Sequence, residues 1–280
     1  MQNSIRSFSK IGVYVDVANI YMSGGNRMQY DVLREFACRD GSELIRLNAY
    51  TSYDPDLARK DPAYKSGVEK FYSVLRGFGF KVIIKEVTWY QNEQGERYGK
   101  ANADLDLAVD LLLQAEKLEK ILLLSGDGDF SRVIRAVQNK GCRVEVVALD
   151  NVSAHLRREA DVFISGYLIP NLVPTAAEPD SPPWGEPGST VRGVCYFHKH
   201  DYGFMRYLRC QTPDIWITDT KRSDSPYGSV YFNDANLPEG VDVSALPSYN
   251  YIFEFDLTKS SHPKGKLEAV DIKYISRLSE

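Results

Sequence analysis

Ile121-Leu-Leu-Leu124 runs directly into Ser125-Gly-Asp-Gly-Asp-Phe130, and an amphipathic stretch follows. Four consecutive apolar residues read as a strand covered on both faces, as in a parallel sheet. The glycines on either side of Asp127 permit a tight turn without a Cβ penalty. Asp127 and Asp129 therefore stand at the carboxyl end of a buried strand, where open α/β sheets keep their chemistry. Two carboxylates this close repel each other, and an oxygen-preferring divalent cation would relieve the repulsion. The hexapeptide also admits a purely structural use, with Asp129 capping the following helix and Asp127 sitting in the turn.

Outward from this strand, apolar runs at 11–15, 44–50, 82–87 and 144–149 alternate with helical patterns near 29–38, 62–78, 102–118, 130–139 and 152–158. That alternation predicts an α/β fold, a parallel sheet with helices on both faces and functional groups at the strand carboxyl ends. The first strand ends in Asp16-Val-Ala-Asn19, on the same sheet edge as Asp127. A third contribution is Asp104-Leu-Asp-Leu-Ala-Val-Asp110, with Asn102 as cap and Asp104 in the first turn. Its spacing predicts Leu105, Val109 and Leu112 as the core stripe, with Asp106 and Asp110 on another face. Asp16, Asp104, Asp127 and Asp129 thus offer oxygen ligands for Mg²⁺ or Mn²⁺, which can activate water for displacement at phosphorus. No P-loop and no G-x-G-x-x-G follows the first strand, so P-loop nucleotide hydrolysis and dinucleotide redox chemistry are disfavoured. His155 stands alone and reads as a helix-surface residue.

The chain has 280 residues, 43% hydrophobic and 26% charged, enough for two domains of moderate size. Residues 1–10 lack the apolar core of a signal peptide and no window approaches a membrane span, so a cytoplasmic location with no membrane partner is expected. Cys38, Cys142, Cys195 and Cys210 form no C-x-x-C pair, which argues against a disulfide framework or a zinc site. The net charge of -4 argues against a general nucleic-acid sponge. Residues 1–174, however, carry 23 Lys plus Arg against 23 Asp plus Glu, so acids gathered on a metal would leave the remaining surface basic. Lys100, Arg132 and Arg135 are the candidate phosphate contacts there.

Composition changes after Pro174. Residues 175–189 hold four prolines and one large apolar residue and read as a linker between a domain at 1–174 and one at 190–280. Beyond it, short strands are expected at 191–198, 203–208, 214–218, 229–232, 251–257 and 267–275, a pattern that suggests a small β-barrel. Tyr196, Tyr202, Phe204 and Tyr231 are candidate base-stacking residues, Tyr202 and Phe204 sharing a face.

The ordered set of Asp16-Val-Ala-Asn19, Asp104-Leu-Asp-Leu-Ala-Val-Asp110, Ser125-Gly-Asp-Gly-Asp-Phe130 and Arg158-Glu-Ala-Asp-Val-Phe-Ile164 resembles the NYN domain family of LabA-like proteins, from residue 11 to about 169. The resemblance implies a PIN-like Rossmannoid fold and metal-dependent ribonuclease activity, with Asp16, Asn19, Asp104, Asp127 and Asp129 at the matching positions. Where many family members show Lys-Gly before the helix acid, this chain has Ala101-Asn102, with Lys100 one place earlier. Asp201-Tyr-Gly-Phe204, Val230-Tyr-Phe-Asn-Asp-Ala-Asn-Leu237 and Lys264-Gly-Lys-Leu-Glu-Ala-Val270 are similar to a cold-shock domain, implying an OB-like barrel. That chain departs from the family in a longer insertion at 209–227 and in Asp201 and Asn233. The expectation is an endoribonuclease whose second domain binds single-stranded RNA, with a homodimer allowed. The alternatives are a noncatalytic RNA-binding regulator that retains the acidic site, and a phosphatase, against which Ala18 counts because a second acid would stand there.

Overall fold

From the amino end the elements are β1 (Lys10–Asp16), α1 (Val17–Ile20), α2 (Tyr30–Ala37), β2 (Glu43–Tyr53), α3 (Pro55–Lys60), α4 (Pro62–Gly77), β3 (Lys81–Glu86), a hairpin of β4 (Thr88–Gln91) and β5 (Arg97–Lys100), α5 (Ala103–Gln114), β6 (Lys120–Leu124), α6 (Ser131–Gln138), β7 (Arg143–Ala148), α7 (Ala154–Glu159) and β8 (Val162–Ser165). Five further strands follow: β9 (Thr190–Lys199), β10 (Tyr202–Leu208), β11 (Tyr227–Asn233), β12 (Ser248–Lys259) and β13 (Leu267–Arg277). The computed structural model describes residues 9–178, 180–260 and 267–278. Residues 1–8 of the amino-terminal stretch, and 264–266 of the cold-shock-like segment 264–270, lie outside the described residues. The chain groups into two compact units, one of residues 9–26, 41–148 and 152–163 and the other of 27–40, 149–151 and 164–278.

In the first unit the sheet order is β3-β2-β1-β6-β7-β8, with β1 parallel to β2 and β6, β2 to β3, and β6 to β7. Helices flank it, as the alternation predicts. Ile121, Leu122, Leu123 and Leu124 are fully buried, and each such side chain contributes about 1.5–3 kcal/mol. Helix starts follow their caps: Asp54 accepts from the amides of Asp56 and Leu57, Asp61 from those of Ala63 and Tyr64, each just before a proline at the first helical position. Among the described residues no helix is long and apolar enough to cross a membrane.

Helix α5 presents a different face from the one expected. Leu107 and Leu111 are its buried residues, whereas Leu105 and Val109 are 59% and 44% exposed and Leu112 is half-buried. The sheet selects the face through hydroxyls. The Tyr50 hydroxyl donates to Asp110 at 2.6 Å and the Tyr14 hydroxyl to Gln114 at 2.9 Å, so Asp110 lies toward the sheet beside the buried leucines. Asp104, three residues before Leu107, shares that stripe.

In the second unit the five strands close into a ring, β10-β11-β13-β12-β9. Cys195, Met205, Val230, Phe232, Phe253 and Phe255 fill its interior. Residues 214–218, expected as a strand, form turns instead. Their alternation arises because Ile215 and Ile217 tuck inward beside the exposed Trp216, while their carbonyls accept the hydroxyls of Tyr227 and Ser225.

Residues 175–189, whose composition predicts a linker, are bonded to the ring instead. Trp184 donates its indole N–H to the Leu208 carbonyl at 2.7 Å and packs on the ring core, and the Gly188 amide donates to Leu257. The one large apolar side chain of the segment is its anchor. Just before it, the buried Arg192–Glu254 ion pair, at 2.8 Å, holds the chain: Arg192 donates to the Val173 and Pro174 carbonyls and Glu254 accepts the Ala176 amide.

Candidate active site

The carboxyl ends of β1 and β6 are joined by side chains. Asp16, the last residue of β1 and the cap of α1, accepts the Asn19 amide at 3.1 Å on one carboxylate oxygen and the Ser125 hydroxyl at 3.0 Å on the other. Ser125 in turn accepts the Asp127 amide at 3.1 Å. The Asn19 side-chain oxygen accepts the Gly126 amide at 2.8 Å. Asp127 accepts the Asp129 amide at 2.9 Å and caps a single turn, Gly128–Phe130, that leads into α6. The capping role therefore falls to Asp127, and Asp129 is left with an exposed side chain.

The turn is also held from the other side. Ser153 donates its amide to the Gly126 carbonyl at 2.9 Å, and a Cβ at Gly128 would lie 2.7 Å from the Ser153 hydroxyl. Any side chain there would force Ser153 to move. Ser125 and Ser153 are positioning residues that sequence reasoning passed over; a small hydroxyl residue directly after a buried strand was the available signal.

Electrostatics binds the carboxylates into one group. Asp16 is 4% exposed, and burial raises its carboxyl to about 6; Asp104 and Asp127 push the same way, opposed by the Asn19 amide and the Ser125 hydroxyl. Asp104, although exposed as a residue, is raised by partial desolvation of its carboxylate and then by Asp127 and Asp129. Asp16, Asp104, Asp127 and Asp129 are thus linked electrostatically through Asp104. As the side chains stand, no three His, Cys, Asp or Glu among the described residues form a ready metal cage.

Other acids of the neighbourhood are engaged elsewhere. Asp106 pairs with Lys85 at 3.0 Å, and Asp161 accepts the Val144 amide at 2.7 Å near the amino end of β7, the opposite sheet edge. Of the candidate phosphate contacts, Lys100 and Arg132 are exposed, while Arg135 is paired with Glu159, its Nε 3.2 Å from the carboxylate. His155 is exposed and 3.8 Å from Glu159.

On the ring of the second unit, Tyr202, Phe204 and Tyr231 come together, with centroids 5.9–6.4 Å apart, but Tyr231 is buried at 5% exposure and backs the half-buried Tyr202 and Phe204 instead of offering a stacking face of its own. Phe197, which the sequence reading passed over, completes the cluster at 6.0 Å from Phe204 and is 41% exposed. Cross-strand register explains this, because Phe204 lies opposite both Phe197 and Tyr231. Tyr196 sits at a register shift, and its hydroxyl shares a 2.8 Å hydrogen bond with Ser229.

Comparison with known proteins places this architecture. Residues 10–170 match the NYN domain. The chain is 30% identical over 179 residues to the low amplitude and bright protein LabA of Synechococcus elongatus, a match covering 61% of this chain and 91% of that protein. A crystal structure of a protein of unknown function from Vibrio parahaemolyticus is 26% identical, with a TM-score of 0.46, covering 59% of this chain and 96% of the other. The NYN match takes in every strand of the parallel sheet and all of its edge carboxylates, and the chain belongs to the NYN domain family, which is associated with nuclease and RNA-related activity.

Proposed function

We propose that the chain is a metal-dependent endoribonuclease that hydrolyses phosphodiester bonds at the edge formed by Asp16, Asn19, Asp104, Asp127 and Asp129. The observation that carries this reading is the buried Asp16 carboxylate, which faces the like charges of Asp104 and Asp127 and, among the described residues, is balanced by an amide and a hydroxyl. A structural acid would be expected to have a cationic partner.

An all-oxygen donor set suits Mg²⁺ or Mn²⁺. Asp16, Asp104 and Asp127 would hold the ion, with Asp129 completing the set. A bound ion of this kind supplies an activated water and neutralises charge developing at phosphorus. Asp16 is the fixed member, locked by two hydrogen bonds; the exposed Asp104 and half-buried Asp127 have the freedom to turn toward it. Asn19 does not need to touch substrate, since its amide oxygen holds the Gly126 turn that presents Asp127. Arg132, exposed on α6 just beyond the turn, can pair with a phosphate, while Arg135 must first leave Glu159.

The carboxyl-terminal ring is read as an OB-like, cold-shock-like barrel whose partly exposed Phe197, Tyr202 and Phe204 stack unpaired bases, backed by the buried Tyr231. In this reading the nuclease domain spans 1–174, with the barrel at 190–280. Calorimetric titration of Mn²⁺ into the full chain tests the metal site: binding that weakens at least about tenfold in Asp16→Asn and Asp104→Asn is expected, in line with losing one charged ligand. Absence of Mn²⁺ binding favours the noncatalytic RNA-binding reading.

A further inference from the structure

We propose that the outer face of the β4–β5 hairpin, carrying Tyr90, Tyr98 and Lys100, holds unpaired RNA beside the carboxylate edge. This inference rests on the ribonuclease reading above and deepens it by naming where the strand lies.

The hairpin is not part of the sheet. It links the carboxyl end of β3 to the amino end of α5, so its last residue, Lys100, precedes Asp104 by one turn's length of chain. Its base is fixed to the same sheet edge, since the Val87 amide donates to the Tyr53 carbonyl at 2.8 Å, where β2 ends. Parallel strands put the ends of β2 and β3 on the side where β1 delivers Asp16 and β6 delivers Asp127.

The two faces of the hairpin do different things. Opposed residues in an antiparallel pair share a face, so Trp89 with Gly99 and Gln91 with Arg97 make one face, and Thr88 with Lys100 and Tyr90 with Tyr98 make the other. The first face is the anchor. The Trp89 indole donates to Asp54 at 3.3 Å, and Arg97 lies 5.1 Å over the Trp89 ring while bonding Asp56 at 2.9 Å. Gly99 leaves room for this, because a Cβ there would come within 3.4 Å of the indole and 2.8 Å of Val87.

The second face is left to solvent. Tyr90 and Tyr98 are 47% and 51% exposed and lie stacked, with centroids 5.8 Å apart and planes 27° from parallel. Lys100, also exposed, stands on the same face on the side toward Asp104. Flat π surfaces with an adjacent cation match a nucleobase followed by its phosphate. The face carries no aliphatic residue, only Thr88, two phenols and a lysine, which is poor chemistry for an apolar protein contact. Paired bases would hide the rings that such tyrosines stack on, so the occupant is single-stranded.

The test uses the full chain carrying Asp127→Asn, to bind without cutting, and Phe204→Ala, to weaken the ring cluster. Affinity for fluorescein-labelled oligouridylate is read by anisotropy, and contacts are mapped by photocrosslinking of a 4-thiouridine analogue. Tyr90→Ala and Tyr98→Ala should each weaken binding about tenfold, while Tyr90→Phe and Tyr98→Phe stay within about twofold because the ring remains. Lys100→Ala should reduce the salt dependence by about 0.7 in log–log slope. Crosslinks should fall within residues 88–100. Unchanged affinity in the Tyr90→Ala, Tyr98→Ala double variant, with no crosslink in the hairpin, overturns the inference. In that event metal-dependent cleavage by the unmodified chain leaves the ribonuclease reading standing. If the unmodified chain neither binds nor cleaves the oligonucleotide, the ribonuclease reading fails and the hairpin inference fails with it.

Discussion

Asn19 accepts the Gly126 amide on its side-chain oxygen at 2.8 Å, joining the end of the first strand to the turn that carries Asp127. The bond spans two strands that are neighbours in the sheet and far apart in sequence. Asn19→Ala should therefore cost about 1–2 kcal/mol of stability by urea unfolding, the usual cost of leaving a shielded amide without its partner. Cleavage should fall along with it, and the Gly126 amide should exchange faster with deuterium. Unchanged exchange at Gly126 would show that the turn holds itself.

Burial of the Asp16 carboxylate, added to by the like charges of Asp104 and Asp127, predicts a stabilising substitution. In EDTA, Asp16→Asn removes a buried charge repelled by Asp104 and Asp127 at the expense of one of two accepted hydrogen bonds. The net expectation is a gain of roughly 1 kcal/mol or more, with any stabilisation by Mn²⁺ lost. A lower melting temperature in EDTA would mean that Asp16 serves structure first.

Helix α5 offers a paired test of which face is buried. Leu107→Ala, at a fully buried position, should cost about 2–5 kcal/mol, whereas Leu105→Ser should stay within about 0.5 kcal/mol. Chemical denaturation of both variants gives the comparison.

That helix also shows what the sequence could and could not convey. The strand runs and their terminal acids were legible because continuous burial demands continuous apolar residues, and Asp16, Asp127 and Asp104 then fall at a shared edge by topology alone. The face of α5 was not legible. Leucine and valine occur on both of its sides, and the choice was made by Tyr14 and Tyr50, hydroxyls on other strands that reach Gln114 and Asp110. The β4–β5 hairpin is short and polar, so its pattern competes weakly with that of a loop. Phe197 was hidden for a different reason: the register shift at Tyr196 exchanges the positions that simple alternation would assign.

In the second unit, Arg192 and Glu254 form a buried ion pair that also satisfies the backbone of residues 173–176. Arg192→Met should destabilise by about 3–5 kcal/mol because it strands a buried carboxylate, and adding Glu254→Leu should recover part of the loss. A thermal-unfolding double-mutant cycle reads both effects, and additive losses would contradict the coupling.

The aromatic cluster on the ring makes a directional claim. Phe197→Ala should weaken binding of unpaired RNA about tenfold, with Tyr196→Ala having the smaller effect. Equal losses at the two positions, measured by anisotropy, would place the stacking surface elsewhere.

The most direct measurement is cleavage of a circular single-stranded RNA by the purified full chain in Mn²⁺, Mg²⁺ or EDTA, with Asp127→Asn alongside. A closed circle has no end for an exonuclease. Linear products that require the divalent ion and disappear with Asp127→Asn are the predicted result; an intact circle in every condition, or cutting that persists in EDTA or in the variant, would contradict an endonuclease at this edge.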